Sequence, residues 1–148
     1  MGSNWDWQVF LQDPGGEYPT YLQWMLSAWG WTVSVALLAL VIALVAGSII
    51  GTIRTLPDNK FLVGFGNAWV ELFRNIPLLV QIFLWYHVVP AIFTAMKSVS
   101  GFVLVVLALG FFTSARIAEQ VRAGIQALPR GQRYAGMAMG FTTVQYYR

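Results

Sequence analysis

The sequence contains no cysteine, which excludes disulfide bonds, iron–sulfur clusters and a thiol nucleophile, and removes the commonest ligand of structural zinc. Charge is also scarce, since Asp, Glu, Lys and Arg together make up 10% of the 148 residues. The single histidine, His87, lies in an apolar stretch, where helix packing is the simpler interpretation and a proton relay the sharper one. We therefore expect no metal site, no cofactor and no catalytic centre.

Apolar residues are abundant instead, at 57% of the chain, and they form three uncharged stretches. These run from Trp31 to Ile53, from Ile76 to Met96 and from Ser98 to Ala115. As a helix, the first would rise about 34 Å, enough for the hydrocarbon core of a bilayer. The sequence predicts an all-α membrane protein with three transmembrane helices, at about 31–53, 76–96 and 98–121, and no separate soluble domain.

Small residues and prolines add detail to these spans. Gly47 and Gly51 share one helical face, and either admit a neighbouring helix or simply face lipid. Pro90 predicts a bend near the end of the second span. The apolar segment 61–74, which is interrupted by glycines, is expected to be a helix lying partly at the interface.

The basic residues predict the orientation. None precedes the first span; Arg54, Lys60 and Arg74 follow it, Lys97 separates the second and third, and the remainder come later. Because cytoplasmic loops are rich in Lys and Arg, residues 1–30 are expected outside and residues 122–148 in the cytoplasm. The bases lie at membrane boundaries, which favours lipid over nucleic acid as the partner.

The N-terminal segment carries no basic leader of the kind that a secretory signal peptide has, so it is interpreted as mature sequence. Trp24, Trp29 and Trp31 cluster at the start of the first span. Tryptophan is enriched where a membrane meets water, so these side chains predict an aromatic belt at the outer interface.

Charged and polar residues at the edges of the spans are the candidate site. Arg116, Glu119 and Arg122 follow one another at threefold spacing, which predicts a mutual ion-pair network on one helix. The alternative is that Arg116 or Glu119 faces a translocation pathway, because an ion in lipid must be paired or line a polar path. The same two interpretations apply to four residues around the start of the second span: Arg74, Asn75, Pro77 and Gln81.

The cytoplasmic tail opens with a turn around Pro129, followed by a short helix-compatible run from Arg133 to Met139. A second short helix is expected to restart near Thr142 or Thr143, either of which can act as its cap. Small side chains dominate the first run and would let it insert into a groove on a partner, although a plain surface loop also tolerates them.

Three segments carry a family resemblance. The tail segment Gly131 to Gly140 resembles a Glu-Ala-Ala motif followed by Gly, in which Ala135 and Gly140 match while Tyr134 replaces the Glu and Gly136 the second Ala. The segment Glu71 to Gln81, with its Pro-Leu-Leu-Val-Gln, and the segment Ile117 to Ile125 add two further matches in the same order. The chain thus resembles permease subunits of polar amino-acid ABC importers, most closely those for glutamate and aspartate.

The resemblance implies a type I ABC importer permease that hydrolyses nothing itself. Its implied partners are ABC ATPase subunits, a second permease subunit and a periplasmic amino-acid-binding protein, in the bacterial inner membrane. A coupling helix in the tail would dock on the ATPase through eight residues: Gln132, Arg133, Tyr134, Ala135, Gly136, Ala138, Met139 and Gly140. Closure of the ATPases on ATP would then tilt the spans.

The family continues through further spanning helices beyond the position of Arg148, so the chain is expected to be a fragment or a truncated product that does not transport alone. Two rival interpretations remain open at this point. One is a small membrane channel or scaffold subunit without ATPase coupling. The other is half of a secondary transporter, which would show broken pseudo-symmetric helices and an ion-coupling charge in the membrane.

Overall fold

The computed structural model describes residues 6–56, 59–142, 145 and 147, apart from the side chains of Arg130 and Arg133. All regular structure in these residues is helical, as the sequence predicts. The chain divides into two units, residues 1–38 and 39–148. The first long helix, α1 (Tyr21–Ile53), begins in one unit and ends in the other.

The N-terminal unit opens with a short 3₁₀ helix, Trp7–Leu11, whose first turn is capped by the Asp6 carboxylate. Helix α1 then begins at Tyr21, well before the predicted Trp31. The Thr20 hydroxyl accepts a hydrogen bond from the backbone N–H of Gln23 at 3.3 Å, which satisfies one of the free donors at the helix start. The predicted external segment therefore already contains the first turns of α1.

Within the described residues, two helices are long and apolar enough to cross a membrane: α1 and α5 (Gly101–Gln126). Helix α5 continues without a break through the predicted third span and the amphipathic segment after it. Nothing in the sequence interrupts the helix before Pro129, and the residue before a proline disfavours the helical conformation, so α5 ends shortly before it.

Between them lie α2 (Lys60–Asn75), α3 (Leu78–Phe83), a π-helical turn at Leu84–Val88 and α4 (Val89–Ile92). Helix α2 and the segment Leu78–Ile92 meet at a bend of 103° and together count as a third span if they cross as one unit. We expected the bend at Pro90, but it lies at Pro77. The π-helical turn directly before Pro90 keeps that part of the chain helical.

Helices α1 and α5 pack closely through glycines. A Cβ atom at Gly47 would lie 2.7 Å from Ile117 Cβ, and one at Gly51 would lie 2.7 Å from Val121 Cβ. On α5, the lack of a Cβ atom at Gly110 leaves space for the Ile42 side chain of α1 in the same way. Of the two interpretations of the glycine pair, the structure therefore supports close helix packing over exposure to lipid.

The core of the second unit joins three helices. Ile50 of α1, Val70 and Phe73 of α2, and Ala115 and Ala118 of α5 are buried together. The rings of Trp69 and Phe111 pack against this core with their centroids 5.0 Å apart, nearly edge to face. This core fixes the ends of α1 and α2 against the middle of α5.

Helix α6 (Arg130–Ala138) forms in the predicted tail. After its last residue, Ala138, the chain turns at Gly140, whose φ of +84° suits glycine, and the backbone N–H groups of Gly140 and Phe141 donate to the carbonyls of Met137 and Gly136. The side chains of Thr142 and Gln145 then cap one another's backbone, so the predicted cap at Thr142 is confirmed. Thr143, the other candidate, lies outside the described residues.

Candidate functional site

The centre of the site is Glu119, a half-buried carboxylate on α5 that three arginines contact. Its Oε1 atom lies 3.0 Å from a guanidinium nitrogen of Arg54 and 3.2 Å from one of Arg74, and its Oε2 atom lies 3.8 Å from Arg122. These arginines come from the end of α1, the end of α2 and the next turn of α5. One carboxylate thus ties three helices together and leaves an excess of positive charge.

Arg54 is the buried member, with 6% of its side chain exposed. Its Nε atom donates to Asn67 Oδ1 at 2.8 Å, while its aliphatic stem lies over Gly66, where a Cβ atom would come within 2.6 Å of Arg54 Cγ. Helix α2 therefore carries a small residue and an acceptor in consecutive positions to receive this side chain. Arg54 Nη1 is buried and has no hydrogen-bond partner among the described residues.

Arg74 and Arg122 are more open, with 54% and 38% of their side chains exposed. Exposed ion pairs contribute little to stability because water screens them and long side chains lose entropy on pairing. Both guanidinium groups can therefore exchange Glu119 for another anion at low cost. Arg54 cannot do so without leaving a buried charge unpaired.

Arg116 is not part of this network among the described side chains. Its guanidinium group lies 3.9 Å from the centre of the Phe112 ring and donates to the Phe112 carbonyl at 3.5 Å. The predicted network of Arg116, Glu119 and Arg122 is thus correct for one pair and wrong for Arg116. The threefold spacing brings Arg116 near Glu119, but Arg54 and Arg74 occupy the carboxylate from other helices.

The Glu119 carboxylate borders an open cleft and a smaller space. An open cleft of about 600 Å³ is lined by Arg74, Arg116, Glu119, Gln120 and Ala123. A smaller space of about 260 Å³ is lined by six residues: Arg54, Val70, Glu71, Arg74, Asn75 and Glu119. Arg116 and Asn75 therefore contribute to the surroundings of Glu119 although neither pairs with it. No group of three or more His, Asp or Glu residues in the described ranges could hold a metal ion.

Pro77 and Gln81 form the bend that brings the end of α2 to the site. Pro77 is the residue immediately before α3, and Gln81 is buried, with 2% of its surface exposed. The Gln81 amide donates to the carbonyls of Phe73 and Ile76 at 2.8 and 3.0 Å. Gln81 is therefore part of the helix junction and does not line either cavity.

The residues predicted to contact an ATPase lie on α6 and the turn after it. Tyr134, Met137 and Met139 expose 65%, 57% and 69% of their surfaces, whereas Gly136 is covered by the Phe141 ring. Gln132, Ala135, Ala138 and Gly140 are exposed, and the side chain of Arg133 lies outside the described set. The described surface of α6 and of the turn after it therefore exposes three large side chains, those of Tyr134, Met137 and Met139, among small and polar residues, while Gly136 is covered.

Sequence reasoning missed Arg54 and Asn67, which complete the site. Arg54 looks like an ordinary boundary charge, because it directly follows the first apolar stretch. A signal was present: Arg54 follows Gly51 by three residues, so it sits close to the glycine face that packs on α5. A charge beside a packing seam is more readily enclosed than one at a free helix end.

Comparisons with known proteins agree with this architecture. The chain is 44% identical, over all of its own length and 64% of the relative's, to the glutamate/aspartate import permease protein GltJ of Escherichia coli K12. It is 41% identical to the probable glutamine ABC transporter permease protein GlnM of Bacillus subtilis, over 74% of this chain and 50% of that one. The chain thus spans between half and two thirds of the length of these relatives. No protein-family model matches it.

A solved structure is also similar. The crystal structure of an amino acid ABC transporter with histidines aligns with a TM-score of 0.62 and 28% identity, over 84% of this chain and 59% of that one. Sequence and fold therefore point to the same group of proteins.

Proposed function

Since this chain is a homologue of the permease subunits of amino-acid ABC importers, we propose that it is the transmembrane permease subunit of an ATP-driven amino-acid importer. It forms part of the translocation pathway in the bacterial inner membrane, with residues 1–30 outside and residues 122–148 in the cytoplasm. A second permease subunit completes the pathway, and a periplasmic binding protein delivers the amino acid. Separate ABC ATPase subunits hydrolyse ATP, so the chain itself is not an enzyme.

The cargo is glutamate or aspartate. The observation that carries this proposal is the excess of guanidinium groups around Glu119, where three arginines meet one carboxylate. The adjoining open cleft of about 600 Å³ adds Arg116 to these cations. An anionic amino acid gains charge-assisted hydrogen bonds from Arg74 and Arg116, whereas a cationic one is repelled.

Helix α6 docks on the ATPase as a coupling helix. Its exposed Tyr134, Met137 and Met139 offer apolar surface that a soluble partner can cover. When the ATPases close on ATP, the movement of α6 reaches α5 through the turn at Leu128 and Pro129. Since Glu119 joins α5 to the ends of α1 and α2, the three helices respond together.

Uptake by the assembled importer tests the cargo. We expect ATP-driven uptake of radiolabelled glutamate and aspartate into proteoliposomes that hold the chain with its partner permease, ATPase and binding protein. The variant Arg116→Ala should raise the KM for glutamate roughly tenfold, the loss expected for one hydrogen bond to a charged group. The control Lys97→Ala removes an exposed cation from the 3₁₀ helix Thr94–Ser98 and should leave the KM unchanged.

Uptake that favours arginine or lysine, or a KM unaffected by Arg116→Ala, would contradict the acidic cargo. The rival interpretation, a membrane channel or scaffold without ATPase coupling, predicts that no ABC ATPase co-purifies with the chain. It also predicts that glutamate flux is independent of ATP. The same preparation therefore separates the two functions.

A further inference from the structure

The bend between α2 and α3 interrupts the helical hydrogen bonds, and the carbonyls of Phe73 and Ile76 are among those that lose a helical donor. In an unbroken α-helix the Phe73 carbonyl would accept from the N–H of residue 77, but Pro77 has no N–H. Ile76 is extended, with φ −95° and ψ 127°, as the position before a proline favours, so its own carbonyl also leaves the helical ladder. In a membrane, where water is scarce, such carbonyls need another donor.

Gln81 supplies both donors. Its side-chain amide donates one hydrogen bond to the Phe73 carbonyl at 2.8 Å and another to the Ile76 carbonyl at 3.0 Å. Its backbone N–H meanwhile donates to the Pro77 carbonyl at 3.0 Å and closes the first turn of α3. One residue of α3 thus replaces the hydrogen bond that Pro77 cannot make and joins the two helices across the bend.

The surroundings of the Gln81 side chain leave it one role, which is to donate hydrogen bonds to the backbone. Both amide hydrogens of Gln81 are committed to backbone carbonyls, and 2% of the residue is exposed. Its Oε1 atom is buried without a hydrogen-bond partner among the described residues, a cost that only the two donations offset. Gln81 therefore cannot also reach a molecule in the cleft.

We propose that Gln81 is a positioning residue that fixes the 103° bend, so that the last turn of α2 holds Arg74 against Glu119. The connection is short, since the Phe73 carbonyl that Gln81 holds belongs to the peptide unit preceding Arg74. The Phe73 side chain is buried in the core, which fixes this turn from the other side. The role in transport rests on the proposed function; the role at the bend does not.

The geometry of the bend can be measured without transport. Because the sequence has no cysteine, the exposed positions Leu72 and Phe83 can be replaced by cysteine as the sole spin-labelling sites, one on each side of the bend. In lipid nanodiscs, pulsed electron resonance should give a narrow distance distribution for the otherwise unchanged chain. Gln81→Met, of similar length but with no amide, should broaden or shift it.

Two further variants make this measurement specific. Gln81→Leu also removes both amide donors and introduces no charge, so it should broaden the distribution as Gln81→Met does. Gln126→Met makes the same chemical change at the exposed end of α5 and should have no effect. An unchanged distribution in both Gln81 variants would overturn the proposal.

Transport then tests whether Gln81 acts through Arg74. In the assembled importer, Gln81→Met and Arg74→Ala should each lower kcat/KM for glutamate roughly tenfold, and the double variant should be no worse than Arg74→Ala. Losses that multiply would show that Gln81 acts independently of Arg74 and would overturn this part of the proposal. An importer that carries no acidic amino acid in any form would refute the proposed function, while the distance measurement would still decide the role at the bend.

Discussion

Arg54, directly after α1, and Glu119, in the C-terminal third of α5, form an ion pair of 3.0 Å in which the arginine side chain is almost completely buried. The other two arginines on the same carboxylate are far more exposed. Of the three arginine partners of Glu119, Arg54 is buried and therefore structural, whereas Arg74 and Arg122 are accessible to solvent. The difference allows the roles of the three arginines to be separated by experiment.

We predict that Arg54→Met destabilises the protein much more than Arg74→Met. The first substitution removes the buried partner of Glu119 and should cost about 3 kcal/mol, whereas the second removes an exposed partner and should cost less than about 1 kcal/mol. Unfolding of the purified protein in detergent, followed by circular dichroism, gives the comparison. Equal losses would show that burial does not distinguish the two pairs.

The close packing of α1 on α5 predicts that the stability of the protein depends steeply on side-chain size at Gly51. Gly51→Leu places atoms where Val121 and the Ala118 carbonyl already lie, so we expect the free energy of unfolding to fall by about 1 to 3 kcal/mol. The control is Gly64→Leu on α2, where a Cβ atom would meet nothing within 4 Å. A leucine there should be tolerated and even favour the helix. Resistance to proteolysis in membranes is a second measure, and similar behaviour of both variants would refute the packing argument.

The long-range features of the fold could be predicted from the sequence because they depend on composition and helical period. Apolar stretches without charge define most of α1 and most of α5, and Ile117 and Val121 share the face that meets Gly47 and Gly51. The residues on both sides of this helix contact can be grouped from the sequence, because helical spacing alone decides which residues share a face.

The bend and the ion-pair centre could not be predicted in the same way. Pro77 and Pro90 are equally capable of breaking a helix, and the sequence alone does not show that the buried Gln81 amide donates to the Phe73 and Ile76 carbonyls beside Pro77. Likewise, spacing along α5 suggests Arg116 as a partner of Glu119, but the carboxylate is taken by Arg54 and by Arg74. Which arginines pair with Glu119 depends on how the helices pack in the folded chain. Residue spacing along a single helix does not contain this information.

The exposed surface of α6 predicts how an ATPase is held. Met137→Arg places a charge in the apolar surface that we propose to be covered, and it should reduce co-purification of the ATPase at least roughly tenfold. Gln126→Arg, at the exposed end of α5, is the matched control and should leave the complex intact. Gly136→Trp is less informative, because the Phe141 ring already lies 3.4 Å from the position of a Cβ atom there.

A hydrogen-bonded contact ties the segment after α6 back to the end of α1. The Tyr147 hydroxyl donates to the Thr55 carbonyl at 2.9 Å, and its oxygen lies 3.0 Å from the Thr55 hydroxyl, which also has the Thr52 carbonyl as an acceptor at 2.7 Å. Thr55 directly follows Arg54, so this contact lies next to the buried ion pair with Glu119. This contact gives the proposed coupling helix a second connection to the site, besides the turn into α5.

We therefore predict that Tyr147→Phe, which removes one hydroxyl, leaves the ATPase bound but weakens the stimulation of ATP hydrolysis by the loaded binding protein by roughly threefold to tenfold. This is the loss expected for hydrogen bonds worth about 1 kcal/mol. Tyr134→Phe is the matched control, since its side chain is exposed on α6. Steady-state ATPase activity in nanodiscs, with and without loaded binding protein, measures the effect. An equal effect of both variants on the stimulation of ATP hydrolysis would contradict this prediction. The contact between Tyr147 and Thr55 would then play no part in coupling, and the turn into α5 would be the remaining connection.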